Sequence, residues 1–248
     1  MRALWCSGPG PARDLNEDGL YLKKVSLDLD MLRPEAAETA EDDLVAVADG
    51  MGGGPGGREA AFVVLTVLSE LAGTSLNSKS EKQIAKNILT AANALTLAAR
   101  LNPGLNHMGS TLAGLWFNRQ KALVFNCGDS RVYRLRQGYF DLLSQDHSLV
   151  FEMYLSGRLT QAQMNGHPLK NLLTASIQDG PEKPRAFFRK IDITEGDHFF
   201  ICSDGVWDTV SLPELESWAA LGPEEGAVVL ADNLIKRSQD NFTFIWLY

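Results

Sequence analysis

Three aspartates stand where apolar runs of the chain begin or end. Asp49 and Asp204 each follow a run that is typical of a buried strand, and Asp240 precedes another. A carboxylate beside an apolar core is costly unless something neutralises its charge. Three carboxylates at equivalent strand ends therefore predict one shared cation site. Hard oxygen ligands of this kind favour Mg²⁺ or Mn²⁺ over Zn²⁺.

A glycine-rich segment, 50–57, follows Asp49 directly. It contains one G-x-G-x-x-G match, at Gly52, Gly54 and Gly57, which would suggest a dinucleotide site. The match is weak because the charge of Asp49 would repel a pyrophosphate, and the position about twenty residues further on holds no acid for a ribose. The favoured interpretation is a tight backbone turn that lets Asp49 and a main-chain carbonyl face one cation.

The segment 13–18, RDLNED, comes before the first secure strand. Its composition alone favours a charged surface loop. The functional alternative gives Glu17 a metal-bound water and gives Arg13 a phosphate, since a planar guanidinium donates two parallel hydrogen bonds to a phosphate. Both interpretations remain open from the residues themselves.

The segment 126–131, NCGDSR, lies between two predicted strands. Gly-Asp is common turn chemistry, so a hairpin turn is predicted here. A turn does not exclude a functional role for Asp129, because ligands often sit on such loops.

The cysteines and histidines give little support to nucleophilic or zinc chemistry. Cys127 and Cys202 are predicted to be buried small hydrophobes. The four histidines show no ligand-like spacing, and only His147 has motif-like neighbours. Asp146 beside it could cap a helix. The spacing also leaves a Ser/His/Asp triad open, but no G-x-S-x-G elbow supports one.

Composition bounds the remaining possibilities. The 248 residues and the apolar fraction of 45% fit one domain spanning 1–248. The net charge of −8 argues against nucleic-acid binding. Three widely spaced cysteines, no signal-peptide pattern and no apolar run long enough for a membrane span predict a cytoplasmic protein.

Clustered strands and clustered helices predict an α+β fold with antiparallel sheets. Hairpin connections are expected at 118–120 and 136–138, loops at 28–43, 73–80, 102–108 and 178–184, and a Ser78/Glu81 capping box before the second helix. The predicted strands are 19–23, 43–48, 110–118, 121–127, 131–136, 139–143, 185–191, 198–203 and 242–247. The predicted helices are 58–72, 80–100, 147–157, 159–165, 212–220 and 223–237.

Taken in order, these segments resemble the metal-dependent PPM, or PP2C-type, Ser/Thr protein phosphatases over nearly the whole chain, at about the size of the minimal bacterial catalytic domain. Each motif is modest evidence alone, but together and in the correct order they are specific. The matching motifs are R-x-x-N-E-D at 13–18, V-A-D-G-M-G-G at 47–53, G-S-T at 109–111, N-x-G-D-S-R-x-Y-R at 126–134, D-H-S at 146–148, H-P-x-x-N at 167–171, C-S-D-G-x-W-D at 202–208 and D-N-x-T at 240–243.

The resemblance implies an αββα sandwich, in which two antiparallel sheets face each other between helix pairs. It also implies a two-metal site using Mn²⁺ or Mg²⁺ and hydrolysis by a metal-activated water. The implied site residues follow. Asp49 would bridge two ions, the Gly50 carbonyl would bind one of them, and Asp204 and Asp240 would hold one metal. Glu17 would anchor the second metal partly through water, Asp129 would help hold a weaker third, and Arg13 would bind the substrate phosphate. Residues 148–171 would form the flap, a segment beside the active site that affects substrate choice and turnover.

Two departures from the family pattern concern proton transfer. Bacterial members commonly have a histidine where this chain has Gly54, and Met51 stands where some eukaryotic members carry a histidine proposed as general acid. No general acid is therefore assigned. Because all the metal-binding carboxylates of the motif are present, an inactive phosphatase-like protein is not expected.

Three functions compete at this point. The first is a Mn²⁺/Mg²⁺-dependent phosphatase acting on phosphoserine and phosphothreonine, opposing a Ser/Thr kinase that would be its partner. The second is a catalytically weak, phosphatase-like module that docks a kinase or its substrate. The third, a nucleotide-binding protein, rests only on the glycine match.

Overall fold

The computed structural model describes residues 1–27, 31–40, 42–52 and 55–248. A 3₁₀ turn covers Pro103–Leu105. The helices are α1 (Pro55–Ser69), α2 (Ser80–Leu101), α3 (Leu149–Leu155), α4 (Gln161–Asn165), α5 (Asp204–Trp207), α6 (Leu212–Ala219) and α7 (Pro223–Arg237). The strands are β1 (Arg2–Gly8), β2 (Gly19–Leu22), β3 (Lys24–Ser26), β4 (Met31–Glu38), β5 (Asp43–Ala48), β6 (Gly50–Met51), β7 (Gly109–Ser110), β8 (Leu112–Phe117), β9 (Lys121–Cys127), β10 (Arg131–Arg136), β11 (Tyr139–Leu142), β12 (Ile177–Gln178), β13 (Phe187–Asp192), β14 (His198–Cys202) and β15 (Phe242–Leu247).

Two six-stranded antiparallel sheets form the centre of the molecule. The first has the strand order β11-β10-β14-β15-β1-β4, and the second has the order β13-β9-β8-β5-β2-β3. A small ribbon, β12-β7-β6, adjoins them. Among the described residues no helix is long and apolar enough to cross a membrane.

The alternation of side chains along each strand explains the four layers. In β5, Val45 and Val47 point into the core between the sheets, together with residues such as Ile201 of β14. The intervening Leu44 and Ala46 pack against α1 and α2 on the outer face. On the other sheet, Phe200, Phe244 and Trp246 pack against α6 and α7. Strands that are apolar on both faces are therefore buried on both faces, and the αββα sandwich is confirmed.

Most predicted elements are present with small shifts at their ends. Helix α2 buries Ile84, Ile88, Ala91 and Leu95, the apolar positions that recur every three or four residues. The turns at 118–120 and 136–138 do connect hairpins, and the second has Gln137 and Gly138 at φ 54° and 85°. Positive φ at both positions is what a two-residue hairpin turn requires.

Strand β4 contradicts the loop predicted over 28–43, in so far as that range is described. It pairs with β1 at the edge of the first sheet, and most of its side chains are exposed or half-exposed. An edge strand tolerates polar residues and a proline such as Pro34, so its composition resembles that of a loop. Strand β1 was also not predicted, although it pairs with β15 in the middle of the sheet.

The segment 126–131 is not a hairpin turn. Strand β9 belongs to one sheet and β10 to the other, so this segment crosses between the two layers. Gly-Asp chemistry indicates a change of direction, but it does not decide whether the flanking strands pair. Two predicted helix caps are also wrong. Within the described residues the Ser78/Glu81 capping box is absent at α2, where the Lys79 N–H donates to Asn77 Oδ1, and α3 begins after Ser148 rather than at Asp146.

Candidate active site

A cleft of about 600 Å³ at one end of the sandwich is lined by every site residue that the sequence and the resemblance indicated. These are Arg13, Glu17, Asp49, Gly50, Asp129, Asp204 and Asp240. The glycine match cannot be assessed in the same way, because Gly54 lies outside the described residues.

Strand pairing explains why residues so distant in sequence meet. Gly19 at the start of β2 pairs with Ala48 at the end of β5, which places Glu17 beside Asp49. In the other sheet Cys202 at the end of β14 pairs with Phe244 of β15, which places Asp204 beside Asp240. Antiparallel pairing brings the end of one strand to the start of its neighbour, so all four acids lie at the same end of the sandwich.

The backbone of Asp49 is held by two residues of the G-S-T motif. Its N–H donates to Thr111 Oγ1 at 3.1 Å, and its carbonyl accepts from the Thr111 N–H at 2.8 Å and from Ser110 Oγ at 3.0 Å. Three hydrogen bonds at one residue leave its backbone little freedom. The direction in which the Asp49 carboxylate points is therefore set before any ligand binds.

The loop before β2 is held by Asn241, a role that the motifs of the sequence did not predict. Its Oδ1 accepts from the Glu17 N–H at 2.9 Å, and its Nδ2 donates to the carbonyls of Leu15 at 2.8 Å and Pro9 at 3.1 Å. One buried amide thus fixes the loop that carries both Arg13 and Glu17. The feature of the sequence that could have indicated this role is the asparagine directly after Asp240.

Burial and mutual repulsion raise the pKa values of the acids in the cleft. Burial is the largest cause at Asp49, whose pKa lies well above its ordinary value, and the charges of Asp18, Asp204, Asp129 and Asp240 add to it. For Asp204 burial and then the charge of Asp240 raise the pKa to about 6. Acidic side chains outnumber basic ones along the described lining of the cleft, and a divalent cation would reverse the effect on the pKa values.

Two further observations fit a bound cation. Glu17 Oε1 and Asp204 Oδ1 are buried and have no hydrogen-bond partner within the described part of the chain. Glycine is required where the backbone passes closest: a Cβ at Gly57 would lie 2.5 Å from Glu17 Oε1, and one at Gly50 would overlap the Gly57 carbonyl. Across the described ranges, however, no three His, Cys, Asp or Glu side chains are already arranged as a metal-binding group. The acids therefore line an open cleft whose donor types suit Mg²⁺ or Mn²⁺, and they do not form a finished cage.

Arg13 is the cation that lies beside Asp240 in this acidic site. Its Nη2 donates to Asp240 Oδ2 at 2.7 Å, with the two side chains 47% and 37% exposed. This hydrogen bond is the largest cause of the raised pKa of Arg13. Because a guanidinium has five N–H donors, others remain for an anion in the cleft.

A second layer of contacts supports Asp129 and was not predicted. Trp207 of α5 donates from Nε1 to the Asp129 carbonyl at 3.0 Å. The guanidinium of Arg131 stacks 3.7 Å from the centre of the Trp207 ring, and it forms a buried pair with Asp146 at 2.6 Å. Asp146 is therefore an ion-pair partner of the 126–131 segment.

Asp18, the last residue of the R-x-x-N-E-D motif, lies fully buried behind the cleft. It accepts a hydrogen bond from Ser203 Oγ at 2.7 Å, and burial raises its pKa to about 7. This contact links the loop before β2 to the residue before Asp204, and so joins the two sheets beneath the site.

His147 does not form a triad within the part of the chain that the structure describes. Its Nδ1 accepts a hydrogen bond from the Gly128 N–H at 3.2 Å, which orients the segment that carries Asp129. Cys127 and Cys202 are free and buried, as predicted. Burial raises the pKa of the Cys127 thiol to about 12, which leaves it protonated at neutral pH.

Comparison with known proteins identifies the family. The family model described as Protein phosphatase 2C matches residues 30–234. The chain belongs to the protein phosphatase 2C family. A Serine/threonine phosphatase stp of Listeria welshimeri is 30% identical over 212 residues, which is 82% of each protein. The Serine/threonine protein phosphatase PstP of Mycobacterium tuberculosis is 28% identical over 207 residues, and that match takes in 76% of this chain but only 40% of PstP.

Solved structures of this family share the fold. The crystal structure of the M. tuberculosis phosphatase PstP/Ppp superposes with a TM-score of 0.83 at 24% identity, over 99% of this chain and 98% of the other. The catalytic domain of PstP in complex with two manganese ions superposes with a TM-score of 0.78 at 24% identity, over 99% and 98%. These likenesses establish the PP2C-type sandwich for this chain.

Proposed function

We propose that residues 1–248 form one catalytic domain that hydrolyses phosphoserine and phosphothreonine in proteins, using two divalent cations, Mn²⁺ or Mg²⁺, and a weaker third. One observation carries the proposal: five carboxylates, the Gly50 backbone and Arg13 line one cleft in which negative charge is left uncompensated. Family membership and the two manganese ions of mycobacterial PstP support it.

The residue roles in this proposal follow the donor types in the cleft. Asp49 and the Gly50 carbonyl would hold the two ions. Asp204 and Asp240 would hold one of them, Glu17 would anchor the second partly through water, and Asp129 would contribute to the third. When bound, the ions would lower the pKa of a shared water and shield the charge of a phosphate dianion.

Arg13 binds the substrate phosphate in this proposal. Its guanidinium already lies at the cleft beside Asp240, and a planar fork of donors matches two phosphate oxygens. Bound in this way, the phosphate would be oriented before reaction, with its phosphorus atom facing the acids that would hold the ions.

Water is the nucleophile in this proposal. Burial raises the pKa of both Cys127 and Cys202, so neither thiol supplies a thiolate at neutral pH. No general acid is assigned: Met51, which stands where some eukaryotic family members carry a histidine, lines the cleft.

The deciding experiment is hydrolysis of p-nitrophenyl phosphate by the EDTA-stripped protein, titrated first with Mn²⁺ and then with Mg²⁺. We expect activity only with metal, and its loss in Asp49→Ala. Absence of activity with either ion in a folded protein would overturn the proposal and favour the docking module. Tight binding of NAD or ATP would support the nucleotide alternative instead.

The same proposal includes a partner protein and a cellular compartment. A phosphatase of phosphoproteins needs a kinase that produces its substrates, so a Ser/Thr protein kinase is the expected partner. Three free cysteines fit a reducing cytoplasm, where disulfides do not persist.

A further inference from the structure

The cleft has a second wall that the proposed chemistry does not use. It includes residues of 171–178, among them Thr174, and three charged residues of the segment 180–185, namely Glu182, Lys183 and Arg185. We call 180–185 the rim segment. Its sequence is GPEKPR; residues 180–184 belong to the predicted loop 178–184, and Arg185 is the first residue of the predicted strand 185–191.

Arg185 is held against the cleft wall. Its Nη2 donates to the Thr174 carbonyl at 2.9 Å. Its contact with Glu152 Oε1 is long, at 3.5 Å, and joins side chains that are 62% and 48% exposed. Such a pair neutralises little charge. Arg185 therefore presents positive charge at a defined place in the cleft.

Lys183 is exposed, and in the described residues its ammonium group has neither an ion-pair nor a hydrogen-bond partner. The two prolines of the rim segment, Pro181 and Pro184, restrict the backbone on either side of it. The segment is tied to the fold where it begins, because the Gly180 N–H donates to Thr96 Oγ1 at 3.2 Å. Lys183 is thus a free cation displayed from an anchored, stiff segment.

The charge balance of the cleft indicates which kind of group Lys183 and Arg185 attract. The acids at the candidate metal site would repel an acidic side chain of the substrate that lies near the reacting phosphate. Such a side chain is more stable where it contacts a basic residue of the cleft. Glu182 lies on the same rim and reduces the positive charge there, so Lys183 and Arg185 leave the rim segment with a small net positive charge. An acidic group of a bound polypeptide would therefore be attracted to this wall of the cleft.

We propose that Lys183 and Arg185 form a specificity subsite for an anionic side chain that flanks the phosphorylated residue of the substrate. This inference rests on the proposed phosphatase function. The ligand is a carboxylate or a second phosphate on the same polypeptide, and the subsite acts through charge and not through shape.

The test compares kcat/KM for phosphothreonine peptides in an alanine-rich host, with one glutamate moved through each flanking position. We expect one or two adjacent positions to raise kcat/KM by about three- to ten-fold, mostly through KM, as a few partly exposed charge contacts would give. The gain should shrink at high salt. A matching series with phosphoserine in place of glutamate shows which anion is preferred.

Three variants make the test specific. Lys183→Glu should abolish the preference for the acidic position, and Glu182→Gln should increase it. Lys24→Glu is the matched control, since β3 lies at the opposite edge of the sheet from β13, the strand that follows the rim segment. Hydrolysis of p-nitrophenyl phosphate, which has no flanking residues, should be equal in all three.

The outcomes separate the two proposals. Equal kcat/KM for all peptides in the wild type, or a preference that survives in Lys183→Glu, overturns the subsite and leaves the phosphatase intact. A wild type that fails to hydrolyse p-nitrophenyl phosphate with metal overturns the proposed function itself, and the subsite with it.

Discussion

Asp49 and its neighbouring acids show how function and stability oppose each other within a few residues. Burial and repulsion raise the pKa values of Asp49, Asp129 and Asp204, so each anion is unfavourable in the cleft without a counter-charge. Removing one charge should therefore harm cation binding without harming the fold.

Asp204→Asn and Asp240→Asn should each lower metal-dependent turnover by orders of magnitude, because each removes a proposed ligand charge. The thermal midpoint of metal-free Asp204→Asn should stay equal or rise, because repulsion is relieved, whereas Asp240→Asn also loses the ion pair with Arg13. Kinetics with saturating Mn²⁺ and calorimetry check the two parts. Asp141→Asn, which changes a 57% exposed acid on β11, is the control and should leave turnover unchanged. Near-normal turnover in both site variants would show that these acids are not ligands.

Arg13→Ala should mainly raise KM, by about ten- to a hundred-fold, since a charged hydrogen bond contributes about 1.5–3 kcal/mol. The physical reason is that Arg13 would bind the phosphate equally in the ground state and the transition state. Arg13→Lys keeps the charge but loses the planar fork, so its KM should be intermediate. An unchanged KM with a collapsed kcat would contradict this role.

At the scale of elements, the loop before β2 depends on a side chain from another part of the chain. Asn241, directly before β15, binds three backbone groups of residues 9–17. Neither Arg13 nor Glu17 could be positioned by local structure alone, because no helix or strand spans residues 9–17.

Asn241→Ala should lower the free energy of unfolding by about 1–3 kcal/mol, because it leaves buried backbone groups unsatisfied. It should also reduce turnover and raise KM together, because Glu17 and Arg13 lose their position at once. Chemical denaturation and steady-state kinetics measure both effects. The control is Asn233→Ala, whose amide bonds within α7 in the described residues, to the Val229 carbonyl at 2.9 Å and to Arg237 Nη1 at 3.3 Å, and which should leave kinetics unchanged. Normal kinetics in Asn241→Ala would mean that the loop is held by other contacts.

At the scale of the whole molecule, acids in the cleft and behind it repel one another where the two sheets meet. Asp18 and Asp204 have folded-state pKa values of about 7 and about 6. In the unfolded chain an aspartate titrates near pH 4. The folded state therefore binds these protons more tightly, so the stabilisation is complete below about pH 4 and is lost as pH rises through about 6 to 7.

The metal-free wild type should therefore lose stability relative to metal-free Asp204→Asn as pH rises from about 4 to 7, by about 1–3 kcal/mol. The comparison with this variant cancels the opposite contribution of His147 and His198, whose pKa values are lowered mainly by burial. Mn²⁺ at pH 7 should restore the stability of the wild type more than that of the variant. Parallel pH profiles for the two proteins would rule out this electrostatic repulsion.

The sequence by itself determined which residue types stand at the strand ends and which face of most elements is buried. Apolar runs that end in Asp49 and Asp204 indicated buried strands that end at the acids of the cleft, and the spacing in α2 indicated its buried face. These properties are local, because the types and periods of neighbouring residues decide which side of an element faces the core. The order of the motifs then indicated the αββα sandwich.

Only the tertiary structure decided which strands pair and which side chains hold the site together. The segment 126–131 crosses between sheets, β4 joins an edge despite its polar composition, and Asn241 fixes the loop of Arg13 and Glu17. Each of these depends on contacts between residues far apart in the chain. The free energy of such contacts comes from burial and hydrogen bonding in the assembled sandwich, and no local pattern of residues contains it.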